Sequence, residues 1–448
     1  MRKKKAPDRL KLIVNALDED RIEDVRTILA ELHPADIGSY LESLPPSRRH
    51  ALWTLVGSDI TGEVLLEVAE GVRDDLISKM DNAQLVAAAR TMDIDDIADL
   101  LPDLSDEVIA SILFAMDQQD RQRLDAVMSY PEDTAGGLMN VDTVTVRENL
   151  SLEVVARYLR RRGELPEHTN RLFVVDRSDR LLGELSLSAL LTTDSQLRVS
   201  QVMKRDITKF QALTPDKEVA AAFERYNLIT APVVDERDRL LGRITVDDVV
   251  DVIREEADRT VMARAGLSED EDIFAPVART TKSRALWLGV NLLTAFLASW
   301  VIGLFEETIV QVVALAVLMP IVSGMGGNAG TQTLTIVIRG IAMGQITGVN
   351  AMRVLTKELA VGLLNGLIWA VVVGTVAYFA YHTYMLGLII GAAMVINLLA
   401  AALAGVVLPL LIRKFGVDPA LAGTVLLTTV TDVVGFFSFL GLASLFLV

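Results

Sequence analysis

The chain has 448 residues, 51% of them hydrophobic, and its 43 basic against 59 acidic side chains leave a formal charge of −16. The absence of cysteine excludes a disulfide framework, a thiolate zinc site, an iron–sulfur cluster and a cysteine nucleophile. Four histidines argue against a His-rich metal site, and the acidic balance argues against nucleic-acid binding, which rests on neutralising phosphates.

The chain opens on Met1-Arg2-Lys3-Lys4-Lys5, but Pro7-Asp8-Arg9 stands where a signal peptide needs its apolar stretch. The N-terminus is therefore expected to stay in the cytoplasm. Residues 1–130 then read as a cytoplasmic domain of short helices. Ile22, Val25, Ile28, Leu29 and Leu32 follow helical spacing, and Ile37, Leu41 and Leu44 repeat it. Asp36-Ile37…Leu41…Leu44 is echoed by Asp96-Ile97…Leu101…Leu104, with Pro34, Pro45-Pro46 and Pro102 as breaks. That pattern predicts an all-α stacked superhelix.

A clearer duplication follows. Val174-Val175-Asp176-Arg177-Ser178-Asp179-Arg180-Leu181-Leu182-Gly183 matches Val233-Val234-Asp235-Glu236-Arg237-Asp238-Arg239-Leu240-Leu241-Gly242. Each copy runs an apolar strand into an Asp-containing turn and a second strand (184–187; 243–246), then a helix opened by Ser188 or Asp247. A helix (152–161; 217–227) and a Met-led strand (139–146; 203–211) precede each copy. This α/β order resembles a tandem pair of CBS domains, expected over 131–200 and 201–256. An acidic connecting helix and linker is expected over 247–284, closing on Arg279, Lys282 and Arg284.

From residue 285 onward the composition changes. Only five basic and five acidic residues occur there, so the excess of −16 sits in residues 1–284. A bilayer core of about 30 Å needs roughly 20 apolar helical residues per crossing. Segments 285–305, 308–338, 359–381, 384–412 and 420–447 qualify, predicting an α-helical membrane domain of five spans over 285–448. The second is too long for one simple crossing and carries Pro320 and a glycine cluster, so it is expected to bend or to extend beyond the lipid on the cytoplasmic side. With the N-terminus inside, the cytoplasmic loops hold Arg339, Arg353, Lys357, Arg413 and Lys414, every basic residue of this part. The positive-inside rule is met, with the C-terminus outside.

Three constellations could carry chemistry. Asp432 lies near the middle of the fifth span in Thr428-Thr429-Val430-Thr431-Asp432-Val433, with no lysine or arginine at comparable depth. Two readings are open: a protonated carboxyl hydrogen-bonded between helices, or a cation site helped by hydroxyls such as Thr428 one turn away. Second, Pro320-Ile321-Val322-Ser323-Gly324-Met325-Gly326-Gly327-Asn328-Ala329-Gly330-Thr331-Gln332 offers close backbone approach and the side-chain oxygens of Asn328 and Gln332. Asn291, Asn365 and Asn397 are weaker candidates, since lone membrane asparagines commonly bridge helices. Third, Asp95 and Asp99 lie one turn apart on a predicted helix, and Asp247, Asp248, Asp251 and Glu255 recur on the connecting helix. Such runs are most often solvated faces, yet two acidic faces that meet can be bridged by a divalent ion through water.

Taken together, the chain resembles the MgtE family of bacterial magnesium transporters and channels over nearly its full length. The specific marks are Glu132-Asp133-Thr134-Ala135-Gly136-Gly137-Leu138-Met139, the Pro320–Gln332 run, Gly416-Val417-Asp418-Pro419-Ala420 and Asp432. The resemblance implies a multi-pass homodimer in the bacterial cytoplasmic membrane, not an enzyme, with Asp432 of each subunit facing hydrated Mg²⁺. It also implies that the cytoplasmic domains bind Mg²⁺ and hold the pore shut, with Asp95, Asp99, Asp247, Asp248, Asp251, Glu256 and Asp418 as sensor ligands. Lys217, Asn227, Arg254 and Arg259 depart from that pattern, so a weaker or rearranged sensor is expected. Some relatives bind ATP in the CBS region, for which only the repeat itself speaks here. The alternatives are a CBS-gated anion channel, which Asp432 disfavours, a membrane sensor without transport, and a carrier of Co²⁺, Ni²⁺ or Mn²⁺ as well.

Overall fold

The computed structural model describes residues 6–166, 168–267, 272–415 and 419–447. Asp418, and the side chains of Asp95 and Asp99, lie outside the described residues. Two compact units result, one of residues 1–256 with 270–275, the other of 257–269 with 276–448.

The first unit begins with short helices: α1 (Ala6–Asp18), α2 (Ile22–Leu29), α3 (Pro34–Glu42), α4 (Pro46–Trp53), α5 (Thr61–Leu66), α6 (Glu70–Ile77), α7 (Asn82–Ala89), α8 (Ile94–Leu100), α9 (Asp106–Ala115) and α10 (Gln118–Val127). Their brevity has local causes. Pro34 and Pro46 each occupy the first helical position, where a missing N–H costs nothing. Asp81 caps α7 by accepting from Gln84 N at 2.8 Å, while the Gln84 side chain accepts from Asp81 N at 3.0 Å. The predicted periodicity is met except at Ile22, which is exposed at the start of α2: Val25, Leu29, Leu32, Ile37, Leu41 and Leu44 are buried in one core with Leu65, Leu76, Leu100 and Ile112.

One member of that core is charged. Arg49, fully buried, donates from Nε to Leu41 O at 3.1 Å and forks onto Asp272 at 2.9 and 3.1 Å. Asp75 lies 3.4 Å away and also meets His50 Nε2 at 2.8 Å. Asp272 belongs to the short segment just before the first apolar helix, and it is held to this unit through Arg49.

The duplication forms two matching sheets. The first copy contains β1 (Thr145–Arg147), α11 (Leu152–Arg162), β2 (Arg171–Val175), β3 (Leu181–Ser186) and α12 (Leu187–Thr192). After α13 (Val199–Val202), the second contains β4 (Phe210–Gln211), α14 (Asp216–Tyr226), β5 (Thr230–Val234), β6 (Leu240–Thr245) and α15 (Val246–Arg264). In both, the first strand pairs parallel and the third antiparallel with the middle one, with a bulge at Val174/Val175 and at Val233/Val234. Asp176 and Asp235 each accept backbone N–H groups two and four residues on, and Asp179 and Asp238 take positive φ in the same turn. The turns pair with each other, Leu181 N to Asp238 O and Leu240 N to Asp179 O, a local twofold echo of the repeat. The second strands begin at Leu181 and Leu240, earlier than the sequence reading placed them, because the turn closes immediately after Arg180 and Arg239. Ser186, not Ser188, caps α12, accepting from Ala189 N at 3.1 Å.

The second unit holds α16 (Val277–Gly303), α17 (Glu306–Gln311), α18 (Ala314–Ala342), α19 (Ala351–Tyr381), α20 (Tyr384–Lys414) and α21 (Pro419–Phe446). The predicted second span is two helices, α17 and α18, separated at Val312. Among the described residues four helices, α16, α19, α20 and α21, are long and apolar enough to cross a membrane by length and composition; α18 has the length but is diluted by its Ser, Gly, Asn, Thr and Gln run. Helix α20 is central, with half of its apolar window buried against 11% for α16 and α19. Small residues set its packing on α19: a Cβ on Gly374 would lie 2.8 Å from Gly387 O, and one on Gly362 3.0 Å from Leu398 O. Backbones that close are what small residues every fourth position permit in a bilayer.

Candidate functional site

Asp432 sits midway along α21, half-buried, and Ser323 Oγ of α18 donates to its Oδ1 at 2.5 Å. No lysine, arginine or histidine pairs with it among the described residues. The hydroxyl of Thr428 donates back to Thr424 O and Val425 O at 3.1 and 3.0 Å, and buried Thr431 donates to Thr428 O. Their protons are spent on the helix while their lone pairs remain. This part of α21 thus presents oxygen acceptors without a competing cation, the ligand type of a hard divalent ion.

Asn328 and Gln332 are exposed on α18. At about 100° per residue they stand roughly 140° and 180° around the helix from Ser323, so they do not join it at Asp432. They share a face with each other instead. Ser323, quoted in the sequence as part of a run and not singled out, is the residue that reaches the carboxylate. A second carboxylate, Glu358 of α19, is buried at 4% exposure; it accepts from Thr333 Oγ1 at 3.1 Å and pairs with Lys357 at 2.6 Å. Both its oxygens are engaged, unlike those of Asp432.

The acidic cluster of the first unit gathers around the start of α15. Thr245 N and Oγ1 donate to Asp248 Oδ2 at 3.2 and 2.8 Å, so Asp248 closes the N-terminus of its own helix. Asp93 and Asp96 open α8, where Asn140 Nδ2 donates to Asp93 Oδ2 at 3.2 Å. Burial pushes the Asp96 carboxyl up to about 7, with the charges of Asp93, Asp248 and Asp247 adding to it. Burial likewise raises Asp248 to about 6, helped by Asp247 and Asp251, and raises Asp251. The two acidic faces therefore meet, and each resists ionisation of the other.

Of the residues chosen from sequence, Asp247, Asp248 and Asp251 fall in this cluster. Asp247 also lies 3.3 Å from His168 Nε2. Glu256 is drawn into an ion pair with Lys217 at 2.5 Å, and Glu255 is exposed on the same helix. Asp96 and Asp93 were missed as site residues because an Asp at a helix start reads first as a cap. Among the described residues no group of three or more His, Asp or Glu is gathered tightly enough to hold a metal ion directly. A loosely spaced acidic cluster suits an ion that keeps its waters.

A family model described as "Divalent cation transporter" (MgtE) matches residues 319–442, and one described as "MgtE intracellular N domain" matches 32–133. CBS domain models match 135–195 and 199–255. The chain is 33% identical over 438 residues to the magnesium transporter MgtE of Thermus thermophilus, covering 96% of this chain and 97% of that one. It is 28% identical over 435 residues to the magnesium transporter MgtE of Bacillus subtilis, covering 97% and 96%. Among solved structures, the cytosolic domain of the Mg²⁺ channel MgtE in complex with ATP is similar at 32% identity, with a TM-score of 0.49 over 54% of this chain and 98% of that one.

Proposed function

The chain belongs to the MgtE family of divalent cation transporters, and from that premise we propose that it is a Mg²⁺ channel gated by Mg²⁺ on its cytoplasmic side. The observation that carries this reading is Asp432, a carboxylate midway along an apolar helix whose partner is the Ser323 hydroxyl and not a cation. An intramembrane carboxylate is costly, and a cation passing beside it offsets that cost. The reading includes a homodimer in the bacterial inner membrane, N-terminus inside and C-terminus outside. Two Asp432 carboxylates then meet the ion, with the Thr428 oxygen beside its path; Asn328 and Gln332, on the side of α18 away from Ser323, take no part at Asp432. The poorly buried apolar faces of α16 and α19 would be covered by lipid or by the second copy.

Mg²⁺ gives up its waters reluctantly, so Asp432 acts by attracting a hydrated ion and accepting hydrogen bonds from its shell. An inward-negative potential favours entry by about 2.3 kcal/mol per charge per 100 mV, doubled for a divalent ion. Regulation follows from the acidic cluster. When cytosolic Mg²⁺ is scarce, Asp93 and Asp96 repel Asp247, Asp248 and Asp251, and α8 parts from α15. Abundant Mg²⁺ neutralises that repulsion and favours the compact state, which shifts the gate only because the ion binds that state better. Glu255 is exposed on the same helix as Asp251, and Asp95, Asp99 and Asp418 enter as sensor ligands on the family resemblance alone. Glu256, paired with Lys217, contributes less, which makes for the weaker sensor the sequence predicts. No step uses nucleotide; ATP would act on the CBS pair as a modulator alone.

The test is Mg²⁺ uptake into proteoliposomes, wild type beside Asp432→Ala, with Mg²⁺ varied on the cytoplasmic side. Uptake that vanishes in the variant and falls as that Mg²⁺ rises is the expected result. Folded wild-type protein that conducts no Mg²⁺ would favour a membrane sensor without transport, and anion conduction surviving in Asp432→Asn would favour an anion channel.

A further inference from the structure

Asn397 of α20 is fully buried, at the junction where α18 and α21 both close on α20. A Cβ on Gly326 of α18 would fall 2.2 Å from Asn397 Nδ2, and one on Gly435 of α21 would fall 2.7 Å from the same atom. The amide thus fills a space that glycine alone leaves open on both helices. Nδ2 donates to Val322 O at 2.8 Å, while Oδ1 is buried and finds no partner among the described residues. These contacts lie next to the ion-bearing pair. Val322 precedes Ser323, Gly326 follows Ser323 by three residues, and Gly435 follows Asp432 by three, so each glycine shares a helix face with one member of the Ser323–Asp432 hydrogen bond.

Helix bridging alone explains an asparagine that uses both ends of its amide. Here the oxygen is left unpaired and carries its full desolvation cost, which an apolar side chain of the same branching, such as leucine, would not carry. We propose that Asn397 is a positioning residue for the Asp432 carboxylate: its grip on the Val322 carbonyl sets the Ser323 turn of α18 against α21, and so fixes how Asp432 meets the cation. This rests on the channel reading above.

The experiment measures Mg²⁺ uptake by the full-length protein in proteoliposomes as a function of external Mg²⁺, with Ca²⁺ as competitor, for Asn397→Leu and Gly326→Ala. The half-saturating Mg²⁺ concentration should rise about tenfold in both, and preference for Mg²⁺ over Ca²⁺ should fall. Thermal stability of Asn397→Leu should stay close to the wild type, since the unpaired buried oxygen that is removed offsets the bulk that is added. Adding Asn397→Leu to Ser323→Ala should produce no further shift, because both act through one hydrogen bond. A purely structural role gives the opposite pattern: lower stability, with half-saturation and ion preference unmoved. That pattern, or independent and additive shifts in the double variant, overturns the proposal. Should Asn397→Leu not fold, the amide is needed for packing first, and an unshifted Gly326→Ala then overturns the proposal. Uptake abolished by Asp432→Ala with normal saturation in the Asn397 variants sinks this inference alone, whereas absent wild-type uptake sinks the channel reading with it.

Discussion

Arg49 in the first unit and Asp432 in the second both stand among apolar neighbours, yet the fold treats them differently. Arg49 has a bidentate carboxylate, a second carboxylate and a backbone carbonyl around it, and no exposed surface. Asp432 has a serine hydroxyl and keeps part of its surface open. A fully satisfied buried charge serves architecture, because removing any member leaves the others stranded. A charge left without its counter-ion is, on the channel reading proposed above, the place where a passing cation would be held. Glu358 belongs with Arg49 by this measure, since Thr333 and Lys357 occupy both its oxygens.

The comparison breaks most sharply by exchanging stability and flux. Asp432→Asn should lower Mg²⁺ uptake by roughly a hundredfold or more while leaving the thermal midpoint unchanged or higher. Arg49→Ala should do the reverse to the first unit, destabilising it by about 3–5 kcal/mol because Asp272 and Asp75 lose their cation. Denaturant unfolding of the purified protein measures this, and Arg49→Met with Asp272→Leu should recover most of the loss. A single Arg49 variant as stable as wild type would contradict the architectural assignment.

The acidic cluster lies between these two cases, neither paired nor open. Asp96 at about 7 and Asp248 at about 6 both titrate above the ordinary 3.8. Folding therefore favours their protonated forms: the stabilisation is complete below about pH 4 and is lost as pH rises through 6 and 7. Without divalent ions, the thermal midpoint of the first unit should fall from pH 5 to pH 8, and Mg²⁺ at pH 8 should restore it. Asp96→Asn should flatten that profile, and an unaltered profile would show that α8 and α15 do not repel. The smallest effect belongs to Lys217→Ala. Its pair with Glu256 is half-exposed, so stability should change by no more than about 1 kcal/mol, but closure should need less Mg²⁺ once Glu256 is released. Hydrogen exchange of α15 against Mg²⁺ concentration reads that shift.

Much of the architecture was legible from residue patterns. Helical spacing marked buried positions of α2, α3 and α8, and the repeated Val-Val-Asp…Leu-Leu-Gly turn marked both sheets. It was legible because such turns and caps are local, decided within four or five residues. Span boundaries were less so: helix α18 escaped the hydropathy expected of a membrane crossing because its polar and glycine residues dilute the apolar signal. The helix break falls at Val312, while α18 runs on through Pro320 where a bend was expected, and the cap of α12 is Ser186 and not Ser188, since competing helix starts differ little in free energy.

By itself, the sequence determined that an acidic, repeat-built part precedes an apolar part, and that one carboxylate lies deep in the last apolar helix without a cation at its level. Depth and charge follow from position along a helix. Only the tertiary structure decided partners. Ser323, and not Asn328 or Gln332, meets Asp432 because helical phase places it on the facing side, across 109 residues of chain. Asp272 neutralises Arg49 across 223 residues, and Asn397 slots between two glycines on separate helices. No local signal encodes such pairings, since they depend on how whole helices are rotated and packed against one another, which is settled by the sum of many weak contacts.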